Sequence, residues 1–343
     1  MSHAFNTITL RIGSTEDPVH PPPSPVVVSS AQGSAEPDLL TPTIFHESWW
    51  LDVATEHRYS VAEVSAGGKV VGKLPYLLTR RKGLAHIIMP TLTHFLGPAL
   101  QEGEGSANTR FLRRLSITRE LIAKLPKAIA YEIKCHAGVL DVIAFQAENF
   151  QTMVQFTHEV HPLAEQELWK RMRDKTRNVI RRAQEQYDVV PLDDPQAFID
   201  FYARNLQQKS YLDLSICEKI IESCIARQRG RILAARSRNG ELVAANFCAW
   251  DAKSSYYLMS TRANNAGNGA GSLLVWKAIL DATSRQLVFD MDGLASEGGI
   301  LFFAGFGAEV RPRYVAERLT VLGHIRRGLH AMRDPLLLKF SAK

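Results

Sequence analysis

At 343 residues the chain exceeds one average domain, so its length favours about two domains and excludes a small disulfide-stapled fold. Its composition, 45% hydrophobic and 22% charged, is typical of a globular protein with a core of normal size and excludes wholesale disorder. The formal net charge is +6, no apolar run reaches the roughly 18 to 20 residues that cross a bilayer, and the first residues lack a secretion signal, so we expect a cytoplasmic protein without a membrane span.

The first forty residues are rich in proline and serine, with some glycine and alanine, and show little periodic apolar pattern. This composition predicts a flexible tail over residues 1–40. We expect structure to begin near Ile44, with a short helix over residues 45–54 in which Trp49 and Trp50 anchor the core.

A strand pair follows the predicted helix. Residues 59–65 and 69–78 read as strands, and Gly67-Gly68 lies between them. Two strand patterns separated by a glycine pair are typical of a tight β-hairpin. The segment therefore predicts an antiparallel unit in the first half of the chain.

Neither the histidines nor the cysteines form a metal-binding pattern. The segment His158-Glu159-Val160-His161 lacks the i, i+4 histidine pair of a helical zinc site, so we interpret it as ordinary polar surface. The cysteines include no C-x-x-C pair, so we expect buried thiols rather than disulfides or metal ligands. The cysteines are Cys135, Cys217, Cys224 and Cys248.

The basic residues are concentrated in one short segment. Residues 170–182 carry seven lysines and arginines against one aspartate, a net charge of +6 that equals the excess of the whole chain. Over residues 168–183 apolar and basic side chains fill opposite arcs of a helical wheel, which predicts one amphipathic helix with a cationic face. Such a face attracts phosphates, and a solvated basic helix without a ligand is the alternative. The candidate phosphate or RNA contacts are Arg173, Arg177, Arg181 and Arg182.

The second half alternates predicted helices and strands, and its strand pair turns at Asn239-Gly240 in the manner of the first hairpin. The recurrence predicts two similar α/β halves, each a mixed layer of helices and mostly antiparallel strands. The predicted helices are 195–209, 215–228 and 272–284, the predicted strands are 231–238, 241–250, 254–260 and 286–291, and residues 315–333 predict a strand and a closing helix.

A glycine-rich loop joins the strand at 254–260 to the helix at 272–284. Alternating glycines let backbone amides approach an anion, and the helix N-terminus adds donors and about half a positive charge. The spacing matches neither a Walker loop nor a dinucleotide fingerprint, and an ordinary turn is the alternative. The candidate donor-binding residues are Arg262, Gly267, Asn268, Gly269, Gly271 and Ser272.

A second candidate site lies where the strand at 286–291 ends, because Asp290 and Asp292 stand there directly before Gly293. Carboxylates at a strand end beside a cleft act as bases or bind an ammonium group. Their spacing of two places both aspartates on one strand face, and the alternative is that one of them caps the following turn.

Several passages appear in a characteristic order: FHESWWLD at 45–52, MPTLTHFLGP at 89–98, LWKRMRDKTRNVIRRA at 168–183, the glycine loop, FDMDG at 289–293 and FFAGFG at 302–307. In this order they resemble the FemAB-like branch of the GNAT acyltransferase superfamily, which includes polysaccharide-locus acetyltransferases. The resemblance covers about residues 40–325. It implies a mixed α/β fold of two tandem GNAT-like domains, each a mostly antiparallel sheet flanked by helices. We expect the N-terminal domain over 41–162 and the C-terminal acyltransferase domain over 163–335.

The resemblance implies an enzyme that moves an acyl group from acyl-CoA or acyl carrier protein to an amine, in polysaccharide or cell-envelope biosynthesis, without a permanently bound cofactor. The pantetheine arm would follow a splayed strand, with phosphate at the glycine loop. Because an ordinary amine is almost wholly protonated at neutral pH, a base must remove its proton before attack.

Asp292 is the candidate base, Asp290 the candidate group that orients the acceptor, and Tyr257 the candidate acid for the leaving thiolate. Two other functions stay open. One is transfer from aminoacyl-tRNA held by the arginines of the basic segment, for which a steep salt dependence is expected. The other is a non-catalytic module that binds a polyanion or a glycan.

Overall fold

The computed structural model describes residues 38–101, 103–206, 212–264, 266–267, 269–292 and 297–320. The tail predicted over residues 1–40 and the closing helix predicted up to residue 333 therefore lie mostly outside the described residues. The described helices are α1 (Ser48–Thr55), α2 (Ala107–Ala123), α3 (Ile143–Ala147), α4 (Glu165–Arg171), α5 (Asp174–Gln186), α6 (Pro195–Arg204), α7 (Leu214–Ala226), α8 (Ala270–Ser284) and α9 (Glu297–Phe303). The described strands are β1 (Tyr59–Ala66), β2 (Lys69–Arg81), β3 (Leu84–Ile88), β4 (Ala99–Leu100), β5 (Ala130–Lys134), β6 (Gln151–Val160), β7 (Tyr187–Pro191), β8 (Gly230–Ser237), β9 (Leu242–Trp250), β10 (Ser254–Arg262), β11 (Val288–Asp290) and β12 (Glu309–Leu319).

All of these strands join one sheet in the order β1-β2-β3-β5-β12-β6-β11-β10-β9-β8-β7, with β4 beside β2. Neighbouring strands are antiparallel, except that β3 pairs with β5 and β10 pairs with β11 in parallel. The mixed α/β class and the mostly antiparallel sheet flanked by helices are therefore confirmed.

The two halves repeat one order of elements. The first half runs β1, β2, β3, α2, β5, α3 and β6, with the short β4 before α2; the second runs β8, β9, β10, α8, β11, α9 and β12. The two last strands are exchanged, because β6 pairs with β11 and β12 pairs with both β5 and β6. The domain boundary expected near residue 162 stays a prediction, and the sheet continues across it.

Apolar side chains cover both faces of the sheet. On β9, Phe247 lies in a core with Trp50 of α1 and Phe198 of α6, whereas the next residue, Cys248, lies in a core with Trp276 of α8. Successive side chains of a strand point to opposite faces, which explains the separation. The four cysteines are buried and free, as expected.

The helix predicted over residues 168–183 is wrong in one respect, because a break divides it into α4 and α5. Met172 and Arg173 have extended backbone conformations between the two helices. The Arg173 N–H donates to the carbonyl of Gly305, 3.0 Å away, and Arg177 Nη1 donates to the last carbonyls of α4 at 3.0–3.3 Å. These bonds fix the break. The sequence gives no signal for it, because the apolar spacing continues from α4 into α5.

Other elements differ mainly at their ends. The helix expected to reach residue 209 is described only to Arg204, and β11 is three residues long where six were predicted. β12 begins at Glu309, before the predicted start at residue 315. None of the described helices combines the length and apolarity that a bilayer crossing requires.

Candidate active site

Strands β10 and β11 part near the middle of the sheet. They pair over three residues, the last pair being Tyr256 and Asp290. β11 ends at Asp290 while β10 continues to Arg262, and a register shift against β9 lies between Tyr257 and Met259. Irregularities of this kind re-aim side chains and cluster near active sites. The opening matches the splayed strand that the resemblance implies.

A cavity of about 740 Å³, called here the β10 cavity, lies where the strands part. Its basic side chains are Arg173, Lys175 and Arg262, and none of the described residues that line it is acidic. A site with this charge attracts phosphate groups. The lining residues are Arg173, Lys175, Thr176, Val179, Ala245, Tyr257, Ser260, Thr261, Arg262, Gly271, Ser272, Leu274, Gly298, Leu301, Phe302 and Phe306.

The glycines of the loop before α8 have different surroundings. The Gly267 N–H donates to the Tyr187 hydroxyl at 3.1 Å, and a Cβ added at Gly269 would lie 2.7 Å from the Cβ of Ala183 on α5. A Cβ at Gly271 would meet nothing within 4 Å, and this residue lines the β10 cavity.

The predicted cradle of three glycine amides is therefore wrong for Gly267, whose N–H already donates to Tyr187. Gly269 instead allows α8 to pack closely against α5. Arg262, Gly271 and Ser272 remain as candidates, because the first amides of a helix lack intrahelical acceptors and favour anions. Asn268 lies outside the described residues.

Tyr257 lines the β10 cavity, and its ring packs edge-on against Phe289 and Phe303. Burial raises the pKa of the Tyr257 hydroxyl above its ordinary value. The phenol therefore keeps its proton at neutral pH. It is suited to donate a hydrogen bond to a leaving thiolate, but it is a weak acid.

Asp290 is buried and 1% exposed. Its carboxylate accepts hydrogen bonds from Thr157 Oγ1 at 2.6 Å and from the Asp292 N–H at 3.1 Å, and it pairs with Arg313 Nη2. Both of its oxygens are thus engaged within the protein. This geometry disfavours the predicted contact of Asp290 with an acceptor. The carboxylate instead positions Asp292 and Arg313.

Asp292 lies beyond the end of β11 with a φ of 38°. The expectation that it shares a strand face with Asp290 is wrong, because this left-handed conformation turns the chain away from the strand direction. Its carboxylate Oδ2 lies 2.7 Å from His94 Nδ1, and the side chain is partly exposed. Left-handed conformations are uncommon for residues other than glycine and occur at functional sites.

Asp292 and His94 line a second cavity of about 460 Å³, called here the Asp292 cavity. Helix α9 adjoins both cavities, because Ile300 lines the Asp292 cavity while Leu301 and Phe302 line the β10 cavity. The other residues that line the Asp292 cavity are Phe95, Lys134, Cys135, Val154, Gln155, Phe156, Arg313, Tyr314 and Val315.

Sequence reasoning missed His94, Glu159 and Arg313. His94 lies inside the passage MPTLTHFLGP, so the resemblance contained a signal for it. The interpretation of the segment around Glu159 as polar surface is wrong, because β6 is central and Arg313 Nη2 donates to Glu159 Oε1 at 3.3 Å. Burial and the neighbouring Asp290 raise the pKa of Glu159, and Arg313 opposes this shift.

The four arginines predicted to contact phosphate or RNA are placed differently. Arg173 lines the β10 cavity, whereas Arg177 caps α4 and pairs with Asp174. Arg181 lies over the ring of Trp169 at 5.4 Å, and Arg182 is exposed. Arg173 is thus the member of the set that lies at a cavity.

Comparisons with known proteins agree with this fold. The family model described as an acetyltransferase (GNAT) domain matches residues 170–297, whereas no curated protein sequence matches the chain. The crystal structure of FemX has a TM-score of 0.58 at 13% identity, and the alignment covers 78% of this chain and 90% of that one. The C-terminal domain (DUF2156) of a putative lysylphosphatidylglycerol synthetase from Agrobacterium fabrum has a TM-score of 0.55 at 12% identity, with 88% and 95% covered.

These two structures share the fold of this chain, and the matched domain contains the parted strands, the glycine loop and both aspartates. The predicted resemblance to the GNAT acyltransferase superfamily is confirmed over residues 170–297, and the FemX structure shares the fold of the chain. The chain therefore carries a domain that matches the acetyltransferase (GNAT) family model over residues 170–297.

Proposed function

We propose that the protein transfers an acyl group from an acyl-CoA or acyl carrier protein thioester in the β10 cavity to an amine in the Asp292 cavity. The observation that carries the proposal is that a basic cavity and a carboxylate-bearing cavity adjoin the same short helix, α9. The resemblance supports a place for this reaction in polysaccharide or cell-envelope biosynthesis.

The β10 cavity suits a phosphate-bearing thioester. Arg173, Lys175 and Arg262 attract the phosphates, and the first amides of α8 add donors. Beyond Tyr256 the flank of β10 that faces away from β9 has no partner strand in the described sheet, so an amide-containing pantetheine arm can pair with it. Leu258 has no residue opposite it on β9, which makes the backbone at this shift the candidate site for the developing oxyanion.

The Asp292 cavity suits the acceptor. The carboxylate attracts an ammonium group, and the imidazole of His94 lies beside it, where it can take part in proton transfer. The neutral amine attacks the thioester carbonyl carbon, a C–N bond forms, and the C–S bond breaks. The proton of the amine passes to the His94–Asp292 pair, and the thiolate leaves with a hydrogen bond from Tyr257.

The test is acceptor-dependent release of free thiol from acetyl-CoA, from longer acyl-CoAs and from acyl carrier protein. Arg262→Gln is expected to raise the KM for the donor about tenfold, because a charge-assisted phosphate contact contributes about 1.5–3 kcal/mol. Arg204→Gln, at an exposed position of α6, is the matched control and is expected to leave the KM unchanged. If no thioester releases thiol with any amine, the proposal is rejected.

A second candidate donor is aminoacyl-tRNA. The observation that favours it is that exposed Arg181 and Arg182 lie on the same helix, α5, as Lys175 at the β10 cavity. A nucleic acid that extends from the cavity along α5 would contact them. Binding of aminoacyl-tRNA would then weaken steeply as salt rises, whereas binding of acetyl-CoA would respond less. A thermal-shift panel of these donors distinguishes the two candidates.

A further inference from the structure

Arg313 on β12 lies between two cavities. It lines the Asp292 cavity and also a third cavity of about 390 Å³, which Glu159, His136 and Tyr256 help to line. Its side chain is 8% exposed, and its guanidinium stacks on the Phe95 ring with the central carbon 4.1 Å from the ring centroid. The guanidinium is therefore a buried charge held in a fixed position.

Only one of the three guanidinium nitrogens is engaged within the described part of the chain. Nη2 contacts Asp290 and Glu159, whereas Nε and Nη1 are buried and have no hydrogen-bond partner among the described residues. Buried donors without acceptors cost free energy and are rare in native proteins. Arg313, which lines the Asp292 cavity, thus carries N–H donors that no described residue uses.

The charge around Arg313 restricts the kind of ligand atom to which these N–H groups can donate. Three carboxylates act electrostatically on the guanidinium, those of Asp290, Asp292 and Glu159. The guanidinium alone does not balance the carboxylates of Asp290 and Asp292, and Lys134, which also lines the Asp292 cavity, pairs with Glu132 at 3.4 Å. A further carboxylate or phosphate beside the guanidinium is therefore disfavoured. An uncharged oxygen accepts the same N–H groups without this repulsion, and an ammonium group nearby is attracted.

We infer that the acceptor is an amine with an uncharged hydroxyl or carbonyl oxygen close to its nitrogen, and that Arg313 donates to this oxygen while Asp292 faces the ammonium. The inference rests on the proposed function and narrows its substrate class. Amino alcohols, amino sugars and peptide-like amides fit this description. Free amino acids, polyamines and plain alkylamines do not.

The first experiment compares matched amines with the unmodified full-length protein. Ethanolamine has a hydroxyl group where propylamine has a methyl group. Glycinamide has a neutral amide where glycine has a carboxylate. Dissociation constants are measured by titration calorimetry at about pH 6.5, where all four amines are mainly protonated. The oxygen-bearing, uncharged member of each pair is expected to bind about tenfold or more tightly, the effect of one hydrogen bond to a charged donor.

Equal affinities within both pairs, or tighter binding of glycine than of glycinamide, would overturn the inference. Glucosamine, added to the series, distinguishes an amino sugar from an amide as the better source of the oxygen. Because these are binding measurements, they do not depend on turnover. A protein that discriminates within the pairs but releases no thiol from any donor would contradict the proposed function and leave the acceptor class supported.

The second experiment uses Arg313→Lys, which keeps the positive charge beside Asp290 and removes the additional donors. The preference for ethanolamine over propylamine is expected to disappear, while the KM for acetyl-CoA stays unchanged. Arg311→Lys, two residues earlier on β12 and partly exposed, is the matched control and is expected to keep the preference. Retention of the preference in a folded Arg313→Lys protein would overturn the inference; if this variant does not fold, the amine pairs with the unmodified protein decide.

Discussion

Asp290→Asn tests the view that the buried carboxylate positions the site. The carboxylate accepts from Thr157, Arg313 and the Asp292 N–H, and the side chains of Asp290 and Arg313 are both more than nine-tenths buried. An amide in its place removes the negative charge and turns one acceptor into a donor that faces another donor in either orientation. Since the substitution leaves a buried guanidinium without its main counter-ion, we expect a loss of about 3–5 kcal/mol in the free energy of unfolding.

The assay is urea denaturation followed by circular dichroism, with midpoints converted to free energies. Asp188→Asn is the matched control, because Asp188 pairs with Arg238 at 3.7 Å on an exposed surface. A pair of that kind contributes about 0–1 kcal/mol. Equal losses for the two variants would refute the reasoning.

Removal of both partners extends the same test. The double substitution Asp290→Asn with Arg313→Met leaves no unpaired guanidinium, so it is expected to be less destabilising than the sum of the single substitutions. Recovery remains incomplete, because Glu159 loses its nearer partner and keeps only the longer contact with Arg311 at 3.9 Å among the described residues. Strict additivity of the two single losses would show that the charges are not coupled.

Three further predictions concern other parts of the fold. Gly269→Val is expected to separate α5 from α8 and cost about 1–3 kcal/mol, seen as a lower melting temperature, whereas Gly271→Ala, whose Cβ meets nothing, is expected to leave melting unchanged. Arg177→Gln removes a donor to three carbonyls at the end of α4 and is expected to cost about 1–3 kcal/mol in urea denaturation; an unchanged midpoint contradicts the capping role. The pKa of Glu159 is raised in the fold, so its ionised form is disfavoured there. Glu159→Gln is therefore expected to become more stable relative to the unmodified protein as pH rises above the ordinary carboxyl pKa. A difference in melting temperature between the two proteins that stays the same at every pH would refute this.

The hairpins were predictable because their signals are local. Gly67 and Gly68 both have positive φ values, and Gly240 does as well, so each turn depends on residues inside the turn itself. The recurrence of strand, turn and strand is therefore visible in the sequence. The break between α4 and α5 was not visible, because it depends on a bond to Gly305, more than a hundred residues further along the chain.

The candidate site was predictable to a similar degree. The sequence located the glycine loop and the two aspartates, since both sit at the ends of locally recognisable elements. It did not distinguish Gly269, which accommodates α5, from Gly271, which lines a cavity, because the difference depends on a helix far away in sequence. Arg313 and Glu159 came together only through the exchange of β6 and β12, which no local pattern encodes.

The exchanged strands also affect the order in which the protein can assemble. In the described sheet, β12 joins the β1-β2-β3-β5 portion to the portion that runs from β6 to β7, yet β12 lies near the end of the described chain. A ribosome must therefore have produced the chain through β12, after all the other described strands, before the two portions can join. Until then the strands β5 and β6 keep open edges, which are liable to pair with other chains. Arg313 arrives with the same strand, so the nascent protein acquires its complete acceptor site only when the two portions are joined.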